Sequence, residues 1–227
     1  MVPPRPRGRR LLAVAAVLDK FGNTPQAQHA RYGLGLLLAT APEPDLAKAA
    51  ELLDKPAGDG GFADRGAALY LLAVCHRGLG LADLDKPAAN PAEAEERKKA
   101  AAPRFAEAAK RFHDAGDWYS SRQNADRFAR SRCDEAEMLL RVGKAREARA
   151  VAEPFTRDES LAKNPHRPMG LYYHGLACFL ERDHPNAGRS LNQLAPFDQP
   201  GFGLHARYLV GRVLHLADEG AEASVHY

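Results

Sequence analysis

HARYGLGLLLATAPEPDLAKAA, residues 29–50, reads as one helix, a short turn and the opening of a second helix. Tyr32 is followed three residues later by Gly35, and twelve residues after that by Ala47. The phrase returns with Tyr172, Gly175 and Ala187, and again with Tyr208, Gly211 and Ala223. A fourth copy has Cys133, Ala136 and Ala148; a fifth, Tyr70 and Ala73, loses its later alanine to an insertion. The anchors at 32, 70, 133, 172 and 208 are separated by 38, 63, 39 and 36 residues. Taking roughly 25 residues out of the long interval leaves a period of about 38, within the range of helical-hairpin arrays.

The spacing has a packing rationale. A small residue midway along one helix and an alanine early on the next both lack bulk where two backbones must approach. That permits interaxial distances near the short end of roughly 8–10 Å. The tyrosines fill the space beside the small residue and present a hydroxyl to water or a partner. Gly35, Ala47, Ala73, Ala136, Ala148, Gly175, Ala187, Gly211 and Ala223 are thus read as packing positions.

This pattern resembles the tetratricopeptide repeat (TPR), in which a small residue of the first helix is followed twelve positions later by alanine in the second. Leu34, Leu72 and Val210 before the small residue, and Leu38, Leu139, Cys178 and Leu214 three after it, fit the same family. Departures are a large aromatic displaced by one position, an irregular closing proline near Pro154 and Pro196, and Cys133 in place of tyrosine. The resemblance covers most of 20–227. It implies an all-α, right-handed α-α superhelix of about five hairpins, with first helices lining a concave face that binds a peptide or helix. The joined phrase LDKFGNTPQAQHARYGLG, residues 18–35, looks like repeats of bacterial cell-envelope proteins of this fold.

Hydrophobic content of 45% and charged content of 27% are ordinary for a globular chain, and the formal charge of +3 does not by itself imply nucleic acid or membrane. Three cysteines, Cys75, Cys133 and Cys178, form no close pair and read as buried thiols in first helices. No run approaches the 18 or so apolar residues of a membrane helix. Arg5, Arg7, Arg9 and Arg10 before LLAVAAVL, residues 11–18, resemble parts of a signal peptide. The short apolar run meets Asp19 and Lys20 without a convincing cleavage site, so a second helix of an incomplete preceding hairpin is the better reading. The default compartment is therefore the cytoplasm, with the periplasm or cell envelope as the alternative.

Residues 1–10 are expected to be disordered and basic, and 11–227 a single repeat domain. The insertion at about 82–103 predicts a short solvated helix starting at Asn90-Pro91-Ala92-Glu93, a surface decoration or a partner-binding loop. Arg104–Ala115 then predicts a separate second helix, ended by Gly116, with Trp118 and Tyr119 at the junction. The reading begins on an unpaired second helix and closes on a truncated one. It therefore predicts a longer array or end-to-end association with another chain.

Little chemistry is written into the sequence. His174 and Cys178, four apart on one helix, are the best metal geometry, with His166 and His184 nearby, yet no second well-spaced pair exists. No base is placed beside a cysteine, and the GDGG run at 58–61 lacks both a preceding strand and a GK[ST] sequel. No metal, cofactor or catalytic residue is expected. Arg31, Arg132 and Arg207 each directly precede a repeat anchor, so stacking aligns them on one face, where guanidinium groups suit the carboxylates of an acidic peptide. The alternative is ordinary snorkelling over alanine-rich helices. The expected function is a non-catalytic protein–protein scaffold, with Arg31, Arg132, Arg207, Tyr32, Tyr70, Tyr172 and Tyr208 as peptide contacts. The rival is a nucleic-acid-binding helical repeat using the arginine row against phosphates.

Overall fold

The structure, a computed structural model, describes residue 18 and residues 24–227. The expected N-terminal disorder at 1–10 and nearly all of the expected helix at 11–21 lie outside the described residues. Among the described residues every regular element is a helix. Two compact units divide the chain, one up to Trp118 and one over Tyr119–Tyr227. The first holds α1 (Pro25–Ala39), α2 (Leu46–Gly58), α3 (Arg65–Leu84) and nearly all of α4 (Pro91–Ser120). The second holds α5 (Ala125–Arg141), α6 (Ala145–Ala152), the single turn α7 (Pro154–Arg157), α8 (Arg167–Leu180), α9 (His184–Leu191), α10 (Gly203–Leu216) and α11 (Gly220–His226).

The second unit contains three hairpins, α5/α6, α8/α9 and α10/α11, built on one plan. Each first helix touches its own second helix and the first helix of the next hairpin, and each second helix touches the first helix that follows. Three-residue turns join the arms, and in each the same position has a left-handed backbone: Gly143 (φ 78°), Arg182 (φ 64°) and Asp218 (φ 61°). The hydrogen bonds repeat with them. Lys144 N–H reaches Leu139 O at 2.9 Å and Gly143 N–H reaches Leu140 O at 3.1 Å. Asp183 and Arg182 bond Cys178 O and Phe179 O in the same way, and Glu219 and Asp218 bond Leu214 O and His215 O. This paired closure of a helix C-terminus satisfies carbonyls that otherwise lack partners. Downstream, Ala148, Ala187 and Ala223 are all buried. A Cβ on Gly175 would lie 2.6 Å from Leu191 Cγ and 3.3 Å from Ala187 O, so the glycine is what lets α8 and α9 meet. The twelve-residue spacing holds for all three copies.

The first unit departs from the plan in two places. The α1/α2 connection is Thr40–Asp45, twice as long, because Pro42 and Pro44 exclude helix and Asp45 caps α2 by accepting from Lys48 N–H at 3.0 Å. The second helix therefore starts two residues late relative to Gly35. Ala47, expected to pack, is exposed. Ala49 is buried in its place, and a Cβ on Gly35 would meet Leu53 Cγ at 2.7 Å and Ala49 O at 3.4 Å. The repeat survives there with a register of fourteen.

The second departure is the α3/α4 hairpin. The insertion does not form a separate short helix; it lengthens both arms. α3 continues past Gly78 to Leu84, and α4 runs unbroken from Pro91 through Pro103 and Gly116 to Ser120. Asn90 and Glu93 start it as expected, Asn90 Oδ1 accepting from Glu93 N–H at 2.9 Å and Glu93 Oε2 from Ala89 N–H at 2.7 Å. The helix crosses Pro103 because its apolar stripe does: Ala101 is buried like Phe105, Ala108, Ala109, Phe112 and Ala115. Tertiary packing outweighs the local breaker. The α3 glycines are contact sites here rather than stops. A Cβ on Gly80 would lie 2.7 Å from the Phe105 ring, and one on Gly66 would overlap the indole of Trp118, which sits within α4. Arg104 Nε pairs with Asp83 at 2.9 Å between the arms. α3 is long and apolar enough to cross a membrane by length and composition alone, but its apolar positions Ala68, Leu69, Leu72, Ala73 and Cys75 are buried in this hairpin packing.

Candidate docking groove

On α8, Tyr172, Leu176 and Leu180 recur every four residues and climb one side of the helix, while His174 and Cys178 fall on the opposite side. The first set opens onto a groove of about 540 Å³ between α5 and α8. α5 contributes Glu137, Leu140 and Arg141, α8 adds Tyr173, and the loop before α10 closes one end with Gly201 and Phe202. The lining is mainly aliphatic and aromatic, with one ion pair at the rim, Arg141 Nε to Glu137 Oε1 at 2.8 Å. Tyr172 lies 5.1 Å from Phe202, centroid to centroid, and its hydroxyl is 2.7 Å from His205 Nδ1. Rings continue over α10 through His205 and Tyr208 to Tyr227. Burial raises the Tyr172 and Tyr173 hydroxyl pKa values, assisted by the Glu137 charge, so both phenols stay protonated as donors. Beside the groove the apolar surface stays open: Leu180 is 55% exposed and Leu204 80%.

The expected contact residues are distributed unevenly. Tyr172 lines the groove and Tyr208 extends it. Tyr32 and Tyr70 lie in the first unit, where Phe62 and Phe112 pack on their rings at 5.9 and 5.2 Å. The three expected arginines do not line the groove. Arg132 pairs with buried Glu135 at 2.7 Å and stacks over Phe128, its side chain only 14% exposed. Arg207 donates to Val225 O at 2.6 Å, and Arg31, in the other unit, reaches Gln28 at 3.4 Å. The basic group at the groove is Arg141. Leu176 and Leu180 were readable as a four-residue period with Tyr172, whereas Phe202 and Gly201 come from a loop with no such signature.

The opposite side of α8 is polar. His174 is 4% exposed and lies 2.8 Å from Ser190 Oγ through Nδ1 and 3.0 Å from Glu153 Oε2 through Nε2. One tautomer satisfies all three groups: Ser190 donates to Nδ1, and Nε2–H donates to Glu153. Burial, reinforced by the Arg149 and Arg157 charges, lowers the His174 pKa to about 4, with Asp183 opposing. Glu153, which accepts from Nε2, also pairs with Arg157. Cys178 Sγ is 3.8 Å from the ring, but burial lifts its thiol to about 11, and Cys75 likewise to about 11. Both are therefore protonated thiols at neutral pH rather than pre-formed thiolate nucleophiles. His166 sits 3.5 Å from Asp126 and His184 packs on Phe179, both away from this pair. No group of three or more His, Cys, Asp or Glu among the described residues is placed to hold a metal ion.

No protein-family model matches the chain, and no curated protein matches it in sequence.

Proposed function

We propose that this chain is a non-catalytic interaction module, a TPR-like hairpin array that binds a partner protein through the groove between α5 and α8. The observation that carries the reading is the groove itself: an open channel with aliphatic and aromatic side chains on the first-helix side of the second unit, bordered by exposed Leu180 and Leu204. Exposed apolar surface of this kind is what a helix or extended segment covers when it docks. The fitting partner segment offers aliphatic or aromatic anchors to Leu140, Leu176, Leu180 and Phe202 and polar atoms to the Tyr172 and Tyr173 hydroxyls and the Glu137–Arg141 pair.

The test is capture from native extract with and without nuclease, comparing the wild-type chain with Leu180→Asp and with an Arg31/Arg132/Arg207→Ala triple variant. A discrete protein that resists nuclease, is lost with Leu180→Asp and survives the triple change supports the groove. Equal capture by wild type and Leu180→Asp overturns it. Loss with the triple variant and with nuclease moves the assignment to nucleic acid.

A further inference from the structure

Behind α8, the ends of α6, α7 and α9 enclose a second cavity of about 270 Å³. Three guanidinium groups face it: Arg149 from α6, Arg157 from α7 and Arg189 from α9. Each carries five N–H donors. Arg149 reaches Asp183 at 2.8 Å and Glu181 at 3.4 Å, and Arg157 pairs with Glu153. Arg189 donates from its side chain only to Asn186 Oδ1, at 3.2 Å. Glu153 is the one carboxylate in the lining, and both of its oxygens are taken, by Arg157 and by His174. The Thr156 hydroxyl donates to Glu153 O at 2.8 Å and the Asn186 amide to Asp183 at 2.7 Å. His174 forms a buried floor held between Ser190 and Glu153. The cavity therefore offers more hydrogen-bond donors than its own walls can satisfy, and the donors come from planar forks whose geometry suits tetrahedral oxyanions.

We propose that this cavity binds a phosphoryl-type dianion, free phosphate or a phosphate monoester, through Arg149, Arg157 and Arg189. Arg189 is the group with most donors to give, since its guanidinium spends a single contact on a neutral amide. Arg157 contributes without leaving Glu153, because a guanidinium can serve two acceptors at once. Arg149 holds the rear wall, its position fixed by Glu181 and Asp183. The site lies on the side of α8 away from the groove and shares no lining residue with it.

Calorimetric titration of the full chain with sodium phosphate and, separately, with O-phosphoserine tests this, against sodium chloride at equal ionic strength. Saturable binding of either phosphoryl compound, absent with chloride, is expected. Whichever binds tighter identifies the source as free anion or monoester. Arg189→Gln should weaken binding about tenfold or more. Its side chain is exposed and makes one amide contact, so an unchanged melting curve separates lost binding from lost fold. Leu180→Asp, in the groove, should bind phosphate as the wild type does. Absence of saturation in the wild type at millimolar phosphate, or equal binding by Arg189→Gln, overturns the proposal.

Discussion

The two units solve the same hairpin problem differently. In the second, three hairpins share a three-residue turn, a left-handed residue at one position and a buried alanine twelve residues after the small one. In the first, a longer turn shifts α2 by two residues and an insertion stretches α3 and α4 into long arms. The consequence for surface is direct. Long arms give α3 a partner over its whole length, and Phe112 covers Tyr70. Short arms in the second unit leave Tyr172, Leu176 and Leu180 facing open space. Regular repetition leaves surface for a partner, and elongation covers it from within.

The shifted register gives the sharpest way to break this comparison. Ala187→Leu adds three heavy atoms at a fully buried site where α8 and α9 meet, and should cost about 3 kcal/mol. In the first unit the same cost should fall on Ala49→Leu, and Ala47→Leu should change stability by less than about 0.5 kcal/mol. Chemical denaturation of the three variants reads this directly. A large loss with Ala47→Leu would restore the twelve-residue register to the first hairpin.

Acid should act next on both units, since burial lowers the pKa of His76 in the first as it lowers that of His174 in the second. The folded-state pKa of His174, about 4, lies below the ordinary histidine value of 6.5. The unfolded chain therefore binds this proton first, and stability present above pH 6.5 is lost as pH falls toward 4. The loss is on the order of 2–3 kcal/mol, since a tenfold difference in proton affinity between folded and unfolded chain corresponds to about 1.4 kcal/mol. Glu153, Arg157, Arg149, Asp183, Ser190 and Cys178 are the groups around the ring, all in the second unit. His174→Gln should lower stability at pH 7 and flatten this part of the profile. A wild-type profile flat from pH 6.5 to 4 would mean that Glu153 holds the proton on the ring.

The hairpins themselves are legible because helix periodicity and small-residue spacing are local. Every turn of the second unit falls within a residue or two of its Gly or Asp signal. Local signals fail where a distant side chain decides. Gly78, Gly80 and Gly116 carry the composition of helix ends, yet Phe105 and the α3–α4 stripe carry the helices through them. Ala47 and Ala49 are indistinguishable by residue type, and only the length of the Thr40–Asp45 turn selects between them. Partner groups likewise place Arg132 and Arg207. Position before the anchor places a side chain on a helix turn, but Glu135 and the Val225 carbonyl decide where Arg132 and Arg207 end. Leu176 and Leu180 follow Tyr172 at four-residue spacing, but the repeat pattern singles out Tyr172 alone. The cavity at Arg149, Arg157 and Arg189 draws on three helices and had no sequence signature.

The smallest effect tests whether the shared turn is a shared strain. Arg182 and Asp218 hold a left-handed backbone that Gly143 adopts freely, and L side chains there cost roughly 1–2 kcal/mol. Part of that is returned by the greater unfolded-state freedom of glycine. Arg182→Gly should therefore stabilise the second unit by about 0.5–1 kcal/mol, and Gly143→Ala should destabilise it by about 1 kcal/mol. Thr40→Gly, closing α1 in the first unit, should act in the opposite sense to Arg182→Gly. Thr40 has φ −105°, so glycine relieves nothing there, and its hydroxyl donates to Leu36 O at 2.8 Å. Urea unfolding of the three variants distinguishes the cases by sign alone. If Arg182→Gly and Thr40→Gly both destabilise, the left-handed residue in the α8/α9 turn carries no strain, and its hydrogen bonds alone explain why that turn has the form of its neighbours.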